Sequence, residues 1–150
     1  MPTLSSKKSP NFLQKLKKTF SRIKPVYTPK APEPVGPYSQ AVKILLHGAR
    51  LLVCSGQIPL DPETSQIVGS DVEKQTEQVF QNVQAVLSAE KMRWEDVIKT
   101  TVFLTDMDSF HSFNEIYSSY FKDHKPARSC VEVSALPKGS LVEMEVWAIK

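Results

Sequence analysis

Beyond residue 35, two segments repeat apolar side chains at three- and four-residue intervals, and they fix where helices can form. In the first, Val72, Thr76, Val79, Val83 and Val86 share one helical face. Ser70-Asp71-Val72-Glu73 precedes them with the hydroxyl-to-glutamate spacing of a capping box, so a helix is expected over 71–91. In the second, Phe110, Phe113, Ile116, Tyr117, Tyr120 and Phe121 recur at the same intervals after Asp106-Met107-Asp108, a plausible cap, and before Pro126. A second helix is expected over 110–121, with its aromatic stripe in the core.

The other apolar runs read as strands. Residues 41–46 and 51–55 flank His47-Gly48-Ala49-Arg50, the turn chemistry of a hairpin. The β-branched run 97–105 reads as a buried strand, and 128–135 and 141–149 flank a turn at Leu136-Pro137-Lys138-Gly139. In the last run Val142, Met144, Val146 and Ala148 point one way, and Glu143, Glu145, Trp147 and Ile149 the other. The order ββαβαββ predicts an α+β layer, a mixed sheet with both helices on one face. Trp147 and Ile149 then need cover on the opposite face, which oligomerisation supplies.

Charge divides the chain at residue 30. Residues 1–30 hold eight Lys/Arg and no acid, whereas residues 31–150 hold eleven Lys/Arg and sixteen Asp/Glu, so a total of +3 is +8 in the tail and −5 in the domain. Phe12, Leu13, Leu16, Phe20 and Ile23 fall at helical spacing with Lys15, Lys17, Lys18 and Arg22 mostly off the stripe. Three readings of this tail stand: a mitochondrial presequence, a basic surface-binding helix, or a solvated tail. The first places the protein in the mitochondrial matrix; without it the expectation is cytoplasmic. Pro25, Pro29, Pro32, Pro34 and Pro37 then read as a stiff linker, so the domain is expected over 31–150, folded from about residue 35.

Several chemistries are disfavoured outright. The longest apolar runs are four residues, far short of a membrane span, and no apolar secretory core precedes the domain. Cys54 and Cys130 form no C-x-x-C pair, and His47, His111 and His124 have no second ligand at metal spacing, so no metal is expected. A domain of −5 is a poor phosphate binder, which argues against nucleic acid.

Six segments read together carry a resemblance: Gly36-Pro37-Tyr38-Ser39-Gln40-Ala41, Ser55-Gly56-Gln57-Ile58-Pro59, Val97 through Leu104, Pro126-Ala127-Arg128-Ser129-Cys130-Val131-Glu132-Val133, Leu136-Pro137-Lys138-Gly139 and Val142-Glu143-Met144-Glu145. In this order, across about residues 32–150, the chain closely resembles the YjgF/Rid family of reactive-intermediate (enamine/imine) deaminases. The resemblance implies a chorismate-mutase-like fold, a homotrimer with sites between subunits, and the deaminase subgroup marked by the arginine at Arg128. It implies that Arg128 binds a substrate carboxylate and Glu143 orders or activates water. Tyr38, Ser55, Asn114 and Cys130 would line the pocket, with the Gly56 backbone close to the ligand.

The implied activity is that of a 2-iminobutanoate/2-iminopropanoate deaminase. Such an enzyme hydrolyses imines released by pyridoxal-phosphate-dependent threonine and serine dehydratases to 2-oxo acids and ammonia, in support of isoleucine synthesis. The substrate is a small imino or enamino acid, and the chemistry needs neither metal nor organic cofactor. Arginine suits the carboxylate because its planar fork pairs two oxygens and keeps its charge. Other readings stand beside this one: a non-enzymatic chaperone or interaction trimer, and an RNA-acting translation inhibitor. Arg128 at a strand start otherwise reads as a surface residue, Ser55-Gly56 as a strand-end turn, and Cys130 as a small hydrophobe. A tight 136–139 hairpin would set Glu143 beside Glu132, roughly 13 Å along the sheet from Arg128 at about 3.3 Å per residue. Either the register differs, or the two residues meet from different subunits.

Overall fold

The computed structural model describes Asn11 and residues 22–150. The apolar positions Phe12, Leu13, Leu16 and Phe20 of the basic tail lie outside the described residues.

Both helices form where the periodicity puts them. Helix α1 runs Val72–Ala89 and buries Val79, Phe80, Val83, Val86 and Leu87. Its N-cap is Asp71 rather than Ser70: Asp71 has the extended backbone of a cap, and its carboxylate accepts from the Lys74 amide at 2.8 Å. Carboxylate and hydroxyl compete for one orphan amide, and the negative group gains more from the helix dipole. Helix α2, Phe110–Tyr120, follows a single 3₁₀ turn in which Asp106 accepts from the Asp108 amide at 2.9 Å.

Six strands form one mixed sheet: β1 Ile23–Val26, β2 Ala41–Leu46, β3 Ala49–Cys54, β4 Val97–Leu104, β5 Ala127–Glu132 and β6 Val142–Ile149, in the spatial order β1-β2-β3-β6-β4-β5. The expected ββαβαββ is present with one more strand before it. Ile23 belongs to β1, antiparallel to β2, and not to a helical stripe. Pro25 is tolerated because β1 is an edge strand, where a missing amide leaves no ladder bond unmade. The sheet therefore begins upstream of residues 31–35, and the division at residue 30 marks a change of charge rather than the edge of the fold.

The β2–β3 hairpin turns at His47-Gly48, with Gly48 in the left-handed region at φ +75°. The second expected hairpin does not form. Strand β5 pairs in parallel with β4, and β6 pairs antiparallel with the opposite edge of β4, so β4 separates the two. Residues 133–141 cross the end of β4, where the Val133 amide bonds the Leu104 carbonyl and the Thr105 amide bonds the Leu141 carbonyl. Glu143 consequently lies opposite Phe103, not beside Glu132.

The alternation in β6 appears as read: Val142, Met144, Val146 and Ala148 are buried against the helices. With Leu52, Phe80, Leu104 and Phe113 they form the core. Each such large side chain contributes about 1.5–3 kcal/mol relative to leaving it exposed. The opposite face keeps Trp147 43% exposed and Ile149 39% exposed.

Buried amides hold the loops to this frame. The Gln40 amide nitrogen donates to the carbonyls of Thr28, Ala31 and Pro32, and its oxygen accepts from the Thr28 amide at 2.7 Å. Asn82 donates to the carbonyls of Ile58 and Leu60, and Gln75 accepts from the Leu141 amide. The Thr28–Pro32 part of the proline-rich stretch is thus bonded to the domain by the Gln40 side chain, in addition to the pairing of β1 with β2.

Candidate active site

The pairing register sorts the candidate residues onto two faces. Arg128 is opposite Thr100 and Cys130 opposite Val102, two β4 positions buried under the helices. Directly opposed residues share a face, so Arg128 and Cys130 belong to the helix side. Glu143 is opposite Phe103 and alternates with buried Val142 and Met144, so it belongs to the other side. Within one chain, then, Arg128 and Glu143 stand on opposite faces of the sheet.

On the helix side, Arg128 is held by α2. Its Nη1 donates to the Asn114 side-chain oxygen at 2.8 Å. Its guanidinium carbon lies 4.5 Å from the Tyr117 ring centre and 5.5 Å from that of Phe110. The Tyr117 hydroxyl is tied to Thr100 Oγ1 at 2.9 Å, which fixes the ring under the cation. Among the described residues no carboxylate forms an ion pair with Arg128. Asn114, Tyr117, Ser118, Lys125 and Arg128 line a cleft of about 390 Å³. Burial pushes the Cys130 thiol above its ordinary pKa, against the pull of the Arg128 charge, which suits pocket lining better than nucleophilic attack. Burial alone takes the Cys54 thiol up to about 12.

Phe110 and Tyr117, whose spacing places them wholly in the core stripe, also hold the Arg128 guanidinium. Their signal is spacing: Phe110, Asn114 and Tyr117 fall at i, i+4 and i+7, so a polar side chain at the centre of an aromatic face marks where that face receives a cation.

On the other face, Tyr38, Ser55, Gly56, Ile58 and Glu143 line a cleft of about 400 Å³ that Glu145 also borders. The Ser55 hydroxyl donates to the Ser39 carbonyl at 2.6 Å and the Ser55 amide to the Gln40 carbonyl at 3.0 Å, which seats the Tyr38 turn beside the end of β3. The Tyr38 hydroxyl accepts from the Val35 amide at 3.2 Å. Glu143 sits half-buried against Gly56. Burial raises its pKa, and the like charge of Glu145, two residues on along the same face, raises it further.

All seven candidates therefore fall into two groups, Asn114, Arg128 and Cys130 on one face and Tyr38, Ser55, Gly56 and Glu143 on the other. The family model described as Endoribonuclease L-PSP matches residues 28–150. The chain belongs to this family, also called YjgF/Rid. One YjgF/Rid relative is the human protein named 2-iminobutanoate/2-iminopropanoate deaminase, 43% identical over 125 residues that make up 83% of this chain and 88% of the human one. The crystal structure of YyfA of the Rid family from Yersinia pestis superposes with a TM-score of 0.78 at 47% identity, covering 84% of this chain and 98% of that one. The crystal structure of E. coli TdcF with bound serine matches with a TM-score of 0.76 at 38% identity, covering 85% and 98%. The YjgF/Rid family thus includes an imine deaminase and a protein that holds a small amino acid.

Proposed function

We propose that this chain is a 2-iminobutanoate/2-iminopropanoate deaminase that works as a homotrimer, each site joining the Arg128 cleft of one copy to the Glu143 cleft of the next. The observation that carries the reading is Arg128 itself, a half-buried guanidinium stacked on Tyr117, steadied from one side by Asn114, and paired with no carboxylate among the described residues. A cation so placed is completed by an anion that arrives, and a planar carboxylate matches its fork. The human relative's name and the serine held by TdcF point to the same ligand class.

The reaction needs little else. Water adds to the imine carbon, the carbinolamine collapses, and a 2-oxo acid and ammonia leave; enamines enter as their imine tautomers. Arg128 holds the carboxylate and so fixes the position of the neighbouring carbon. Glu143 takes a proton from the attacking water and returns it to the departing nitrogen. Its raised pKa suits both halves of that exchange, because a group that accepts a proton must also release it. Tyr38 and Ser55 form the wall of the cleft that faces Glu143, and Cys130 flanks Arg128.

The basic extension fits import into the mitochondrial matrix, where a threonine dehydratase serving isoleucine synthesis would supply 2-aminocrotonate. A fluorescent protein joined to the C-terminus of the full chain should collect in mitochondria; a diffuse cytoplasmic signal rejects this assignment. The activity is tested with a threonine dehydratase that generates 2-aminocrotonate in the presence of semicarbazide as competitor. The full chain should accelerate 2-oxobutyrate formation, and Arg128→Ala and Arg128→Lys should not, while both keep the parental thermal melt. A folded parent that gives no acceleration rejects the enzyme. Equal activity in Arg128→Ala rejects the clamp.

A further inference from the structure

Position 56 has no conformational need for glycine. Gly48, Gly69 and Gly139 adopt positive φ, and Gly56 does not. Its need is spatial. A Cβ built there would lie 1.8 Å from Glu143 Oε1, 2.7 Å from Cδ and 3.0 Å from Cγ. These atoms belong to the outer part of one flexible side chain and not to backbone, so the clash falls on the carboxylate alone.

The two positions cannot drift apart to make room. Their neighbours Gln57 and Met144 exchange both main-chain hydrogen bonds, at 2.9 and 3.1 Å. Among the described residues no donor bonds to the Glu143 carboxylate, so its place is set by packing against the bare Gly56 Cα. A methyl group at 56 would press on the carboxylate and not on the paired main chain.

We infer that Gly56 is a positioning residue for Glu143, its missing side chain being the seat that sets the carboxylate where the reaction needs it. The contact that the family resemblance gives this glycine, a backbone near the ligand, becomes secondary. The kinetic part of this inference rests on the deaminase reading; the titration part does not.

The experiment is a cycle of Gly56→Ala, Glu143→Gln and the double variant in the full chain. Gly56→Ala should lower kcat about a hundredfold, the scale of a catalytic group misplaced by about 1 Å, with KM changed less than about threefold. On the Glu143→Gln background it should cost nothing further, since the group it displaces is already gone. Independent losses in the double variant, or a loss carried by KM, overturn the inference and return Gly56 to substrate contact. Carbon NMR of labelled glutamate supplies a readout that needs no substrate. The Glu143 titration should move down toward the ordinary carboxylate value in Gly56→Ala as the group leaves its half-buried seat, and an unmoved titration overturns the inference even in a chain without deaminase activity. If Gly56→Ala fails to fold, Gly56→Ala/Glu143→Ala decides: a melt equal to that of Glu143→Ala supports the seat, and an unfolded double variant overturns it.

Discussion

Arg128 rests against two aromatic rings and a helix, whereas Glu143 rests against a glycine and a set of loops. The first cleft is rigid by construction: Tyr117 is fixed to Thr100, Asn114 projects from α2, and β5 is laced to β4 over six residue pairs. The second is assembled from the Tyr38 turn, the end of β3 and one face of β6, held in place by buried glutamine and asparagine side chains. The difference fits the two tasks proposed for them. Gripping a carboxylate profits from a cation that cannot move, and passing protons profits from an acid whose surroundings raise its proton affinity.

Mixing two inactive chains tests that division most severely. Arg128→Ala and Glu143→Gln should each lose about a thousandfold or more in activity. Refolded together in equal amounts, they should recover about a quarter of the parental rate, because random neighbours bring an intact Arg128 to an intact Glu143 one time in four. A mixture as inactive as its components breaks the proposal that the clefts of different copies meet.

Gln40→Ala probes the loop-built side alone. It strips partners from the Thr28, Ala31 and Pro32 carbonyls and the Thr28 amide, and should cost about 3 kcal/mol of stability by chemical denaturation. A loss below about 1 kcal/mol would show that the proline-rich arm is held by something other than this side chain. Asn114→Leu probes the rigid side. Removing the one side-chain acceptor of the Arg128 guanidinium among the described residues should raise KM about tenfold with kcat little changed; a kcat effect would mean that Asn114 serves the chemistry and not the grip.

The smallest effect expected is on pH dependence. In the proposed mechanism Glu143 acts as a carboxylate, and its pKa is raised first by burial and then by Glu145, so the rate should fall with acidification at a higher pH than an ordinary carboxylate would give. Glu145→Gln removes the like charge and should shift that acid limb to lower pH. A limb that stays where it was would assign the whole elevation to burial.

Local patterns in the sequence carried the helices, the alternation in β6 and the turn at His47-Gly48, because each is set by residues close along the chain. They did not carry the partners of β5. A turn at Pro137-Lys138-Gly139 reads as a hairpin until β4 is known to lie between the two strands, and strand pairing is decided by distant residues. That error hid the main fact about the site: the expected 13 Å along one face is instead a separation across the sheet. Asn114, a mediocre helix former on an aromatic face, was readable as a residue with a task, whereas Tyr117 beside it looked like any core tyrosine. β1 was hidden by Pro25 and by the place of Ile23 in an apolar stripe that suited a helix equally well.

The short edge strand Ile23–Val26 limits where the chain can be shortened. Five lysines, Lys7, Lys8, Lys15, Lys17 and Lys18, precede it, and trimming the chain after residue 21 would take the net charge from +3 to −2 without touching the sheet. Trimming after residue 30 would also strip the strand, baring the β2 main chain to any neighbouring edge and releasing the arm that Gln40 holds at Thr28. The stretch that carries the positive charge and the stretch that seals the sheet overlap, so a cut that removes charge and spares the sheet must fall ahead of Ile23.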